Sequence, residues 1–107
     1  MITFVVRCRL QDGKQQESER LIAELVAAVE AQEPSAVGYA FHRNVRDPNE
    51  LLLVESYASN DAFLAHNTSP HMLRFRARFT ELFDPPTAQV DLLEEVAGFG
   101  RDWPDRS

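Results

Sequence analysis

The hydrophobic period of this chain switches back and forth between two residues and a helical turn, and the order of the switches leaves few folds open. Ile2, Phe4, Val6, Cys8 and Leu10 alternate with Thr3, Val5, Arg7 and Arg9, which predicts a strand with one strongly apolar face. Asp12-Gly13 supplies a turn. From Gln15 to Glu33 the period lengthens: Leu21, Ile22, Leu25, Val26 and Val29 fall on one helical face. Pro34 ends that helix, because the residue before a proline is pushed out of the α region. Val37 to Arg46 alternates again, with Val37, Tyr39, Phe41 and Val45 sharing a face. Asp47-Pro48-Asn49-Glu50 predicts a turn with proline at its second position. Leu51 to Tyr57 returns as a strand, so the two form an antiparallel hairpin. The run Leu51-Leu52-Leu53-Val54 is apolar on both faces, so this strand should be central and covered on both sides.

Ser59 reads as a helix N-cap, with Asp61 placed to favour the positive helix end. A short helix should run through Ala62, Phe63 and Leu64 to about His66, broken at Asn67-Thr68. Ser69-Pro70 restarts a helix, serine capping and proline at the first helical position. Met72, Phe75, Phe79, Leu82 and Phe83 form its apolar face, and Asp84-Pro85-Pro86 stops it. Thr87 to Val96 is the last strand, with Ala88, Val90, Leu92 and Val96 on one side. The order β, α, β-β, α, β is the ferredoxin-like α+β arrangement, βαββαβ, with an antiparallel sheet. Two helices cover one sheet face. The other face keeps apolar residues yet has no cover within the chain, and soluble monomers avoid such a patch. A second copy packed sheet to sheet would cover it, so a homodimer is expected. Whether Val90 or Asp91 faces that partner is left open by the alternation. The domain is expected to span residues 1–97, with 98–107 as a tail that is polar apart from Phe99 and Trp103.

The 107 residues are enough for one domain with a modest core. The net charge of -6 argues against nucleic-acid or anionic-membrane binding, both of which need a basic footprint. Arg74, Arg76 and Arg78 cluster, but alternate residues on a helix make no single stripe, so they read as a solvated face. No apolar run approaches the ~18 residues of a bilayer span. With no apolar h-region after a basic stretch at the N-terminus, a cytoplasmic location is expected. Cys8 is the one cysteine, so no internal disulfide can form, and it reads as a small buried hydrophobe.

His66 and His71 flank the junction between one helix and the next. Imidazole is the side chain best suited to move a proton near neutral pH, and a helix start suits an anionic oxygen. Either histidine is a candidate base; both could equally be plain helix-end residues. His42, His66 and His71 are the only histidines, and no HExxH or CxxC spacing occurs, so no metal site is expected. No glycine-rich phosphate loop or nucleotide fingerprint is present, so no cofactor is expected either. Arg43 and Glu55 lie on the two hairpin strands and could pair across them, or place a polar contact in an apolar pocket. Tyr39 and Tyr57 read as half-buried strand aromatics whose hydroxyls could meet a ligand. Phe63, Phe75, Phe79 and Phe83 are first of all core residues.

Glu55-Ser56-Tyr57, then Ser59 to Ala62, then His66-Asn67-Thr68-Ser69-Pro70-His71 follow one another in the chain. This run resembles the antibiotic biosynthesis monooxygenase family, whose members commonly show Glu-x-Trp/Tyr, Ser-x-x-Ala and His-x-x-Ser-x-His in that order. Upstream, Glu33-Pro34-Ser35-Ala36-Val37-Gly38-Tyr39 is similar to the family's Glu-Pro-Gly-x-x-x-Tyr, with Ser35 where glycine is usual. The resemblance covers roughly residues 1 to 96. It implies a dimeric α+β barrel and a cofactor-free monooxygenase acting on small aromatic quinols or polycyclic phenols. In that reading His66 or His71 is the base, Tyr39, Arg43, Glu55 and Tyr57 orient the substrate, and Phe63 and Phe75 line its pocket. Haem-degrading members of the family use a Trp and a haem-ligating His, which align here with His66 and Arg76, arguing against haem degradation. Two alternatives stand beside the oxygenase. One is an isomerase of a small phosphorylated or carboxylated ligand, with Arg7, Arg9 or Arg43 as its anion partner. The other is a non-catalytic dimeric binding or stress-response domain.

Overall fold

The computed structural model describes residues 1–99. Strand β1 (Ile2–Leu10) leads into helix α1 (Gln15–Gln32), then strands β2 (Ala36–Asn44) and β3 (Asp47–Tyr57). Three helices follow, α2 (Asn60–Asn67), α3 (Pro70–Ala77) and the single turn α4 (Phe79–Leu82), before strand β4 (Phe83–Leu93). The four strands form one antiparallel sheet in the order β2-β3-β1-β4, the ferredoxin-like βαββαβ arrangement that the periodicity predicts. The expected tail lies mostly outside the described residues, Trp103 included; Phe99 is exposed. None of the described helices is long and apolar enough to cross a membrane.

Register sorts the two sheet faces. Phe4 stands opposite Glu55, Val6 opposite Leu53, and Cys8 opposite Leu51. On the neighbouring strand Tyr39 and Phe41 stand opposite Glu55 and Leu53. These residues face the helices, and Cys8, Leu51, Leu53, Leu25, Val29, Phe75, Leu82 and Phe83 form the buried core. The apolar run of β3 is central as expected. Leu51 and Leu53 are buried beneath the helices, whereas Leu52 and Val54, on the bare face, are half-buried. That face also carries Val5, opposite Val54, and Ala40, which pairs with Val54 from the other side.

Three boundaries differ from the sequence reading, each for a local reason. The hairpin turns at Val45-Arg46, not at Asp47-Pro48-Asn49-Glu50. Asn44 supplies the turn chemistry, its Oδ1 accepting from the Arg46 N–H at 2.9 Å. Pro48 is absorbed by a register shift between Arg43 and Asn44, where the missing N–H breaks no ladder bond. The second long helix is interrupted at Arg78, whose N–H bonds the carbonyls of Phe75 and Arg76; α4 then restarts at Phe79, which stacks on Phe83 at 4.7 Å. The last strand begins at Phe83, earlier than Thr87, and ends at Leu93, before Val96. Pro85 and Pro86 lie in a bulge between the pairs Arg9↔Asp84 and Arg7↔Gln89. Thr87 Oγ1 accepts the Arg9 N–H there at 2.9 Å, replacing a carbonyl the bulge removes. After the bulge, Val90 pairs with Val6 and so lies on the helix side, while Asp91, opposite Val5, lies on the bare face.

Candidate functional site

Between the sheet and α2–α4 lies a cavity of about 350 Å³. Its wall is mostly apolar: Phe4, Val6, Phe41, Leu53, Phe63 and Phe75 contribute, and Phe63 stacks on Phe4 at 4.3 Å. Polar groups enter at few points, namely Glu55, His66 and Tyr39, with Asn67 and Arg76 from the end of α2 and from α3. The cavity reaches β4 at Val90, which is 63% exposed, so the mouth opens along that edge strand.

His66 comes to the cavity because Ser59 caps α2, accepting the Ala62 N–H at 3.2 Å, and the helix then runs until His66 lies over the sheet. The hydroxyl of Ser69, which caps α3, donates to the His66 carbonyl at 2.7 Å and ties the two helices end to end. The imidazole is 2% exposed. It sits between the rings of Tyr39 and Tyr57, at 5.2 and 5.3 Å. Its Nδ1 lies 2.8 and 3.0 Å from the two carboxylate oxygens of Glu33, the residue that ends α1. A carboxylate only accepts, so Nδ1 carries a hydrogen, and Nε2 is the ring nitrogen left for the cavity.

His71 has a different place. Its Nε2 donates to the same Glu33 carboxylate, its Nδ1 is buried without a hydrogen-bond partner among the described residues, and the ring lines shallow depressions behind the cluster, not the cavity. Glu33, His66 and His71 together bring three ligand atoms within 4.8 Å of one another, a set that could in principle hold a divalent cation. The contacts favour hydrogen bonds. Two donors on one tetrahedral zinc stand about 3.3 Å apart, whereas Glu33 Oε2 is 2.8 Å from His66 Nδ1 and nearer still to His71 Nε2. An ion would have to part them.

Glu55 is 5% exposed, and its Oε1 accepts the Tyr57 hydroxyl at 2.6 Å. Burial raises its pKa above the ordinary carboxylate value; the Tyr57 hydroxyl and His66 work against that rise, and Glu33 adds to it. Burial, with Glu55 nearby, also holds the Tyr57 and Tyr39 hydroxyls well above the usual phenol range. Arg76 opposes the rise at Tyr39. Both tyrosines therefore keep their protons. The Cys8 thiol, pushed up to about 11 by burial, is not a nucleophile at neutral pH.

Of the residues singled out from sequence, Tyr39, Glu55, Phe63, His66 and Phe75 line the cavity, and Tyr57 stands directly behind it. Arg43 does not join them. Tyr39, not Arg43, is opposite Glu55, and Arg43 sits further along the hairpin opposite Leu51, exposed and paired with Glu19 of α1. The alternation was right about the hairpin, but its turn is shorter than predicted, and the register moves with it. Glu33 is the residue whose place at the site sequence reasoning did not see. Its signals were a helix end before a proline and its place at the head of the family-like segment Glu33 to Tyr39, neither of which pointed to the histidines.

Residues 1–78 match the antibiotic biosynthesis monooxygenase family. The chain belongs to that family. No curated protein matches it. Among solved structures, a Pseudomonas aeruginosa protein superposes with a TM-score of 0.80 at 23% identity, covering 90% of this chain and 94% of its own. A Mycobacterium tuberculosis protein gives 0.79 at 24%, covering 91% and 96%. A solved antibiotic biosynthesis monooxygenase gives 0.79 at 20%, covering 91% and 100%. At these identities the likeness speaks for the fold, and family membership makes this a monooxygenase-family fold.

Proposed function

We propose that this chain is a cofactor-independent monooxygenase that oxidises a small aromatic quinol or phenol with dioxygen. The observation that carries the reading is one imidazole, held by a carboxylate, facing a mostly apolar cavity of about 350 Å³, a volume suited to one small aromatic ligand. A quinol supplies its own electrons. His66 Nε2 takes the phenolic proton, and the electron-rich phenolate hands an electron to dioxygen in a site from which aromatic walls exclude water. The oxygen that forms adds to the ring. A ring C–H becomes C–OH and the two quinol C–OH groups become C=O; one oxygen atom stays in the product and the other leaves as water, so quinol and dioxygen give hydroxyquinone and water without outside reductant. Glu55 and Tyr39 orient the substrate, and Phe63 and Phe75 hold its ring.

The isomerase alternative asks for an anion partner inside the cavity. Arg7 and Arg9 lie on the other sheet face and Arg43 is engaged with Glu19, while Arg76, which does line the cavity, is held by the Asn67 carbonyl and side chain; the mostly apolar wall favours the oxygenase. The proposal includes a homodimer closed over the bare sheet face, where Val5, Val54, Ala40 and Leu52 leave apolar surface. Its setting is the cytoplasm, where the one cysteine stays a thiol. Oxygen uptake with a panel of hydroquinones tests the reading. One dioxygen should be consumed per quinone formed, and the rate should survive exhaustive chelation. No uptake above the autoxidation rate across the panel would remove the oxygenase reading.

A further inference from the structure

Glu33 is placed where no part of the proposed reaction yet uses it. It is the C-cap of α1, held there by its N–H to the Val29 carbonyl at 2.9 Å and by Pro34 behind it. From that point its carboxylate reaches the end of α2 and the first turn of α3 at once, accepting from His66 Nδ1 with both oxygens and from His71 Nε2 with one. We propose that Glu33 is the positioning residue of the site, holding His66 in the tautomer that presents a bare Nε2 to the cavity and balancing the charge when that nitrogen takes a proton. The inference rests on the reading of His66 as base.

The geometry carries this in three ways. A neutral imidazole has one hydrogen, and only the nitrogen without it can act as base. The carboxylate takes the Nδ1 hydrogen, so the lone pair is at Nε2. A buried imidazolium without a counter-charge is strongly disfavoured, and Glu33 lies against the ring while its own side chain keeps 13% exposure to solvent. His71 in turn fixes the carboxylate, which would otherwise rotate. When the substrate O–H breaks, its electron pair stays on the phenolate oxygen and its proton bonds to Nε2. The Nδ1 hydrogen stays between His66 and Glu33, and the Nε2 proton is returned to the reduced oxygen as water forms. The other titratable groups near His66 are Glu55 and Tyr57 from β3, Tyr39 from β2, and Arg76 from α3. Of the two carboxylates, Glu33 is the one with a hydrogen bond to the ring.

The test reads the tautomer and turnover separately. In nitrogen-15 spectra of the full-length wild type, the neutral His66 ring should carry its hydrogen on Nδ1, and in Glu33→Ala the Nε2–H form should gain at its expense. In Glu33→Gln, close to isosteric, kcat with a 1,4-hydroquinone that the wild type oxidises should fall roughly 10²-fold or more, the order seen when a triad carboxylate is neutralised. KM should move less than about threefold, because the interaction acts on the proton transfer. Glu33→Asp should recover part of the loss, which a carboxylate that merely stapled helices together would not predict. A wild-type His66 protonated at Nε2, or a folded Glu33→Gln with kcat within twofold of wild type, would overturn the inference. If the wild type oxidises no hydroquinone, the oxygenase reading fails, and the tautomer spectra still decide what Glu33 does.

Discussion

An imidazole held between two tyrosine rings and a carboxylate has little rotamer freedom left, the restraint that a positioned base at His66 would need. If it is the base, His66→Ala should lower kcat for an oxidised hydroquinone by roughly 10²–10⁴-fold, with KM less affected, in steady-state oxygen uptake. Glu55 allows a test on stability. Its pKa is raised by burial, so folding favours its protonated form. That contribution is complete below the ordinary carboxylate range and is lost as pH rises through the folded-state value. Glu55→Gln keeps an acceptor for the Tyr57 hydroxyl and has no charge to bury. Thermal melts of the two proteins should therefore converge near pH 4, and at about pH 8 the variant should melt higher. Equal melting temperatures at both pH values would mean that Glu55 is not strained by burial.

At the scale of elements, the site depends on how one helix hands over to the next. Ser69 does two things there: its Oγ accepts the Met72 N–H at 3.3 Å as the cap of α3, and it donates to the His66 carbonyl at 2.7 Å. Ser69→Ala should lower stability by about 1 kcal/mol, the usual effect of a lost cap, and move Tm down by several degrees for a domain of this size. The proline at the first helical position limits the loss, because its fixed φ still favours the helix start. An unchanged Tm in calorimetry would show that the hydroxyl's two bonds do not stabilise the junction. The bulge at Pro85-Pro86 is a second case of local chemistry deciding an element. Without it, the strand would run from Phe83 in a single register, and Val90 would point to the other face.

For the whole molecule, the question is what covers the sheet. Helices protect one face, and on the other Val5, Val54 and Ala40 meet in register across three strands. Placing a carboxylate at Val54 would bury an unpaired charge in a dimer, an effect of several kcal/mol, which corresponds to a dissociation constant raised roughly 100-fold or more. In sedimentation, Val54→Asp should be monomeric where the wild type is dimeric, while Leu73→Asp, on a helix at a side chain 56% exposed, should remain dimeric. Val90, on the cavity side, is the wrong place for that charge. A wild type that sediments as a monomer at micromolar concentration would remove the dimer proposal.

Element types, their order and the core faces of β1 and α1 were legible in the sequence, because backbone geometry ties side-chain direction to a period of two or 3.6 residues and nothing distant is needed to read it; the face of Val90 on β4 was not, because the Pro85-Pro86 bulge sets it. The family-like run from Glu55 to His71 was legible for the same reason: its residues are neighbours along the chain. Register and convergence were not. Where the hairpin turns depends on whether Asn44 or Pro48 supplies the turn, and that choice moved Arg43 away from Glu55. Which histidine meets the cavity depends on how α2 and α3 cross the sheet, and the crossing turned His66 inward and His71 behind it. Glu33 joined them from 33 positions away in sequence. A contact of that separation leaves no period in the chain, so only the closed tertiary structure, with α1 ending beside the junction of α2 and α3, decided that a carboxylate and an imidazole would meet.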